Sequence, residues 1–195
     1  MRAVLAEDAP LVGTLLARAF HDDPFVSWWY DGAPDRVEQA SALFTANARL
    51  GLALGDGLMS DDGDAVALYL PPGAVVDDGA VGSSGLPAVI EESGPERAGQ
   101  IGRFLATLGT LHAETTPEPH WQLFFLGVAP PAQGRGLGGS LVDEMTRRAR
   151  RDGVPCYLDT LTAANVAFYE RRGYRVVAEA DVPDSPVHAW AMRIG

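Results

Sequence analysis

The 195-residue chain sets 15 basic side chains against 26 acidic ones, a formal net charge of -11, and is 47% hydrophobic. That length and apolar content supply one substantial core and are short for two, so a single domain over residues 1–195 is expected. The negative field excludes a broad nucleic-acid footprint, which needs clustered cations, and favours a cationic or amine-bearing ligand. Cys156 is the only cysteine and cannot close an internal disulfide, and no apolar run reaches the roughly 20 residues that span a bilayer. With no signal-peptide pattern at the N-terminus, the expectation is a cytoplasmic protein that does not enter a membrane.

In chain order, Arg2 to Leu5 reads as a short strand. Asp8 before Ala9-Pro10 reads as a helix cap with proline in the first turn. Leu11, Leu15, Leu16 and Phe20 then share one helical face. Pro24 stops or bends that helix, and a second helix is predicted from Pro34 to about Leu50. Between them His21, Asp22, Asp23, Trp28, Trp29 and Tyr30 mix acids with large aromatics. Those aromatics suit an acceptor pocket or a core or interface patch equally well. Gly57–Ser60 and Ala65–Leu70 read as strands of a hairpin turned at Asp61–Asp64, and Pro71-Pro72-Gly73 ends the unit. Residues 73–95 read as a loop with one short helix near Leu86–Glu92, followed by a helix from Pro95 to about Glu114.

Trp121 to Val128 is apolar throughout, as a strand covered on both faces would be, and Gly127 within it marks a bulge or a close backbone approach. A helix begins near Leu137, with acids early and Arg147, Arg148, Arg150 and Arg151 late, the order that suits its dipole. Pro155–Asp159 reads as a strand and Ala163–Arg172 as a helix. Tyr174–Glu179 and Val187–Ile194 are the closing strands.

The junction before the Leu137 helix carries the strongest motif, Gln133-Gly134-Arg135-Gly136-Leu137-Gly138-Gly139-Ser140. Glycines permit close backbone approach, and the first helical turn offers free N–H groups to a phosphate. A Walker loop needs a lysine, and all 15 basic residues are arginine. Gly134-x-Gly136-x-x-Gly139 fits a dinucleotide fingerprint, with Asp159 twenty residues beyond Gly139. Its context does not fit, because only one short helix and two strands follow Asp159. The remaining candidate is the acyl-CoA loop Q/R-x-x-G-x-G/A, met by Gln133, Gly136 and Gly138.

With the downstream segment Asn165-Val166-Ala167-Phe168-Tyr169-Glu170-Arg171-Arg172-Gly173-Tyr174, the chain resembles the GNAT superfamily of N-acetyltransferases. The looser pattern of Ala19-Phe20, Asp23-Pro24, Glu118-Pro119-x-Trp121-x-Leu123, Gly127-Val128 and Trp190-x-Met192 is similar to the puromycin N-acetyltransferase group. The resemblance implies an α/β (α+β) fold: a mixed, mostly antiparallel twisted sheet of about six to seven strands, flanked by helices, with a splayed parallel pair at the cofactor.

The same resemblance implies acetyl-CoA as cofactor and a small-molecule amine as acceptor, with acetyl transfer by direct attack in a ternary complex. Leu126, Gly127 and Val128 would meet the pantetheine arm, and residues 133–140 the pyrophosphate. Arg135 would add charge and Ser140 a hydroxyl. Asn165 would anchor the cofactor or cap its helix, Phe168 would pack near the pantetheine arm, and Tyr169 would protonate the leaving thiolate. The oxyanion donor would be the Val128 N–H. The general base stays open, because the strand Leu123-Phe124-Phe125-Leu126 has no carboxylate. Glu118, His120, His21, Asp22, Asp23 and Tyr30 are the acceptor-side candidates beside a water relay. The four histidines lack metal-ligand spacing, and no metal is expected. Other acceptors, a protein N-terminus or none at all in a CoA-binding regulatory module, remain alternatives. A monomer or homodimer is expected.

Overall fold

The computed structural model describes residues 1–195. Its seven strands are β1 (Arg2–Ala3), β2 (Asp56–Met59), β3 (Ala65–Leu70), β4 (Trp121–Val128), β5 (Cys156–Thr160), β6 (Arg175–Asp181) and β7 (His188–Ile194). They form one sheet in the order β1-β2-β3-β4-β5-β7-β6. Every neighbouring pair is antiparallel except β4 and β5, so the expected mostly antiparallel sheet with one parallel pair is present.

Helices α1 (Ala9–Ala19), α2 (Pro24–Trp29), α3 (Arg36–Leu54), α4 (Asp78–Ser84), α5 (Leu86–Glu92) and α6 (Pro95–Thr115) precede β4. α7 (Leu137–Asp152) and α8 (Ala163–Glu170) follow it. Two of these helices depart from the expectations. The segment at Pro24 starts a helix, because Asp23 accepts from the Phe25 N–H at 2.9 Å and proline suits the first turn. Residues 78–84 form a second helix in the expected loop; Asp77 caps it by accepting from the Ala80 N–H at 2.8 Å.

The core lies in two layers. β3 divides them by strand alternation: Val66 and Leu68 join the side chains of α1, α2 and α3, with Ile101 and Phe104 of α6, on one face. Ala65, Ala67 and Tyr69 join Leu141, Val142 and Met145 of α7 on the other. Cys156 is buried in the α7 layer as a plain strand residue. Against the expectation of a strand covered on both faces, β4 is fully buried only at Trp121, Leu123 and Gly127.

Helices α1 and α3 cross at Gly13, where a Cβ would lie 2.7 Å from the Thr45 backbone nitrogen and 2.8 Å from the Ser41 carbonyl oxygen. These backbone atoms cannot step aside without moving a helix. Gly13→Ala is therefore expected to destabilise the fold by about 1–3 kcal/mol, and thermal unfolding would show a midpoint lowered by several degrees.

At the start of α2, burial pushes the Asp23 carboxyl up to about 6, outweighing its backbone hydrogen bonds from Phe25 and Val26. A raised folded-state value means that the charged form is the disfavoured one. The contribution of Asp23 to stability is largest below the unfolded value of about 3.9 and is lost as pH rises through the folded one. Asp23→Asn keeps a capping oxygen and removes the charge. Urea unfolding should show a gain of order 1–3 kcal/mol at pH 7.5 that vanishes below about pH 4.

Candidate active site

The glycine segment follows a single 3-10 turn at Pro130–Ala132. The Gln133 N–H donates to the Pro130 carbonyl at 3.3 Å, and the Ser140 N–H donates to the Gly136 carbonyl at 3.0 Å. Between them the amides of residues 134–139 meet no backbone acceptor. Gly134 (φ 77°) and Gly136 (φ 83°) hold the left-handed turns that aim these groups outward, and Gly136 stands at the N-terminus of α7. Six free donors at the positive end of a 16-residue helix fit a pyrophosphate by number and charge.

The side chains of the segment have separate partners. Arg135 reaches Asp64 at 3.4 Å and Asp62 at 3.8 Å on the β2–β3 hairpin. The Ser140 hydroxyl donates back to the Gly136 carbonyl at 3.2 Å. Gln133 donates from Nε2 to the Val128 carbonyl at 3.3 Å, tying the loop to the end of β4. Leu137 is half-buried at the first position of α7, packed against the α7 layer. Gly138 and Gly139 are buried, which is a packing role in addition to their free amides. A Cβ on Gly138 would lie 3.2 Å from Val128, and one on Gly139 would lie 2.8 Å from Arg172 Cζ. Arg172 in turn covers the Phe168 ring at 4.1 Å and donates to the Phe168 carbonyl at 3.2 Å. Arg172 stands within the segment 165–174, but only the fold brings its guanidinium over Gly139.

β4 and β5 pair only at Trp121↔Cys156, Gln122↔Tyr157 and Leu123↔Leu158, then part. The register of β4 against β3 slips beside Phe124, which has no partner between Phe125 and Leu123. The bulge thus lies at Phe124 and not at Gly127. Gly127 marks the other option, a close approach, since a Cβ there would lie 2.7 Å from Leu16 and 3.3 Å from Ala19. The Ala129 N–H donates to the Asp64 carbonyl at 2.8 Å, and this fixes the parity of the ladder. Leu126 and Val128 fall at positions that do not bond β3, so their backbone groups turn toward the side from which β5 has departed. The Val128 carbonyl is taken by Gln133, and the N–H groups of both residues with the Leu126 carbonyl fit the amides of an extended pantetheine arm.

α8 lies beside this gap. Thr162 caps it by accepting from the Asn165 N–H, which corrects the alternative that Asn165 is itself the cap and leaves its exposed amide side chain free. Phe168 is half-buried against the first turn of α7, and Tyr169 is 6% exposed between Phe168 and Tyr174. Burial pushes the Tyr169 phenol well above its ordinary value, so it is protonated at neutral pH.

The predicted acceptor-side residues do not gather in one place. Trp29 and Tyr30 are core residues, with Trp29 Nε1 donating to the Arg97 carbonyl and the Tyr30 hydroxyl to the Gln39 carbonyl. Asp23 is occupied as a cap. Trp28 is half-buried against Phe25, while His21 and Asp22 are exposed and bonded to each other at 2.8 Å. Glu118 and His120 precede the closed end of the β4–β5 pair, away from the gap. Glu118 is paired with Arg193, and His120 meets His112 at 2.6 Å between ring nitrogens.

On the face opposite α7, β4 instead carries aromatic side chains beyond the point where the strands part. Phe20, Phe44 and Phe125 contact one another at centroid distances of 5.3 to 6.2 Å, with Phe124 against Phe125. A half-buried carboxylate, Asp159 of β5, lies on the same face and accepts from the Tyr157 hydroxyl at 2.5 Å. Burial pushes its carboxyl up to about 7. In the sequence Asp159 drew notice only for its distance from Gly139. The signal that marks it is an acid alternating with Tyr157 on one face of an otherwise apolar strand.

Comparison with known proteins agrees with this geometry. The model of the Acetyltransferase (GNAT) family matches residues 92–174, which include α6, β4, α7, β5 and α8. An uncharacterized N-acetyltransferase of Schizosaccharomyces pombe is 26% identical over 184 residues, 89% of this chain and 73% of that protein. The structure of a histone acetyltransferase HPA2 and related acetyltransferase from Corynebacterium glutamicum matches with a TM-score of 0.66 at 21% identity, covering 98% of this chain and 93% of that one. The polyamine N-acetyltransferase of Drosophila melanogaster matches with a TM-score of 0.63 at 17% identity, covering 99% and 97%. No helix is long and apolar enough to cross a membrane. Acetyltransferases of this family use acetyl-CoA, and the donors at the loop and at the β4 edge suit its pyrophosphate and pantetheine. The fold is the one these acetyltransferases share, and the GNAT family model matches its segment from α6 to α8.

Proposed function

We propose that the protein is an acetyl-CoA-dependent N-acetyltransferase that acylates the primary amine of a small molecule by direct attack in a ternary complex. The observation that carries this reading is the pairing of two sets of unsatisfied backbone donors. One lies at residues 134–139 and the other at Leu126 and Val128, on either side of one gap. The acceptor class is supported by the net charge of -11 and by the aromatic side chains that β4 carries beyond the parting point, which together suit a cationic amine with an apolar body. The polyamine acetyltransferase matched above, which forms N-acetylagmatine, fits the same class. The looser pattern shared with puromycin N-acetyltransferases adds puromycin, and an antibiotic-modifying role, to the acceptors worth testing.

When bound, the cofactor supplies an activated acetyl thioester. The amides of residues 134–139 hold its phosphates, with Arg135, beside Asp62 and Asp64, as countercharge. Asn165 and Phe168 border the arm. The Val128 N–H faces the gap as a fixed donor for the oxygen that gains charge during transfer, an arrangement whose loss typically costs about 10²–10³ in rate. Tyr169, held protonated by its burial, gives a proton to the departing sulfur.

Two measurements test the assignment. Calorimetry should show saturable acetyl-CoA binding that Gly136→Asp weakens at least tenfold, because the new carboxylate repels phosphate and strains the turn; unchanged affinity would remove the loop from the site. Tyr169→Phe should lower kcat by about 10²–10³ on the amine that an acceptor panel identifies, with acetyl-CoA affinity nearly unchanged. Equal turnover would remove Tyr169 from the mechanism. Agmatine, other polyamines, arylalkylamines and puromycin belong on that panel, read by release of free thiol.

A further inference from the structure

Amine acylation requires a proton acceptor, and β4 supplies none, since Leu123-Phe124-Phe125-Leu126 is apolar. We propose that Asp159 is the general base of the transfer, with Tyr157 as its positioning residue. The inference rests on the amine-acetyltransferase reading above.

Three observations place Asp159 at the reacting centre. The last parallel pair is Leu123↔Leu158, so Asp159 is the first β5 residue beyond the point where the strands part. Strand alternation and the bond from Tyr157 put its carboxylate on the face opposite α7. The free loop amides begin α7, so this reading brings the acceptor to the opposite face, which Asp159 shares with Phe20, Phe125 and Leu161. The carboxylate is also uncompensated. Asp8, Asp56, Glu118 and Glu144 each pair with an arginine, whereas Asp159 receives one neutral hydroxyl and no ion pair.

The surroundings explain why it can work near neutrality. Ala191 of β7 lies opposite, and Leu108 and Leu111 of α6 and Leu161 complete an apolar setting. Burial raises the carboxyl to about 7, and the Tyr157 hydrogen bond lowers it. A base poised near the working pH is the efficient one. The other titratable or charged groups on this face are accounted for. Arg193, opposite Tyr157, is held by Glu118 and the Thr115 carbonyl. His112 of α6 stacks on Tyr157 at 4.3 Å, and burial pushes it down to about 4. His120 contacts His112 and the edge of Tyr157, on the side away from the gap.

In the step itself the amine nitrogen forms a bond to the acetyl carbon and passes its proton to Asp159. The carbon–sulfur bond breaks, and the sulfur takes its proton from Tyr169. Solvent then resets both side chains.

The experiment uses the full chain, acetyl-CoA and the best amine of the panel, with kcat and KM measured from pH 5 to 9. Asp159→Asn should lower kcat at least 100-fold and abolish the acidic limb near pH 7, with KM changed little. Tyr157→Phe should retain most of kcat and move the limb to higher pH, a shift that a merely structural role would not produce. Without cofactor or acceptor, the carboxyl carbon resonance missing from the Asp159→Asn spectrum should titrate with a midpoint near 7. A midpoint near 4, a limb unchanged in Asp159→Asn, or a rise confined to KM would overturn the proposal while leaving the acetyltransferase reading intact. A wild-type protein that binds acetyl-CoA but acylates no amine would overturn that reading and this proposal with it.

Discussion

The separation of β4 from β5 after Leu123 is the constraint on which the site depends. A sheet interior satisfies its backbone groups by pairing, and leaving them bare is costly unless another partner arrives. Here the two strands are drawn in different directions. β5 stays in register with β7 from Cys156 to Thr160. β4 stays with β3 but carries an extra residue at Phe124, which increases twist and bends the strand. At Gly127 the missing side chain lets α1 settle directly on the strand. The result is a wedge with the N–H groups of Leu126 and Val128 unpaired along one side.

The wedge suits the proposed binding site because its flanks have opposite characters. On the α7 face, glycines allow close packing as well as open turns. Gly138 admits Val128 and Phe168, and Gly139 admits the Arg172 guanidinium, so the first turn of α7 is clamped to α8 while its amides remain free. On the other face, the bulge at Phe124 places two consecutive phenylalanines against the same helical layer. One side is polar and built for an anion, the other apolar with a single uncompensated carboxylate. Such asymmetry suits a reaction that brings an anionic donor and a cationic acceptor to one carbon atom.

Much of this was legible in the chain itself. The order of elements, the glycine loop before α7 and the helix bearing Tyr169 follow from local signals: glycine spacing, apolar periodicity and capping residues whose effects reach only a few positions. The missed helices had local signals too, in Asp23-Pro24 and in Asp77, but an N-cap and a turn use the same residue types, so the acids there read equally well as loop. The acceptor side was less legible. Trp28, Trp29 and Tyr30 look alike in sequence whether they line a pocket or fill a core, and burial alone separates the two.

What the sequence determined by itself is therefore the glycine loop at the proposed cofactor end, where a contiguous motif aims backbone groups outward. What only the tertiary structure decided is the acceptor end. Asp159 and Tyr157 acquire their meaning from the point where strand pairing stops, and Phe20 from its contact with Phe44 and Phe125 across three elements. The physical reason is that a carboxylate's proton affinity depends on what surrounds it. The groups around Asp159, from α6, β5 and β7, lie far apart along the chain and meet only on folding.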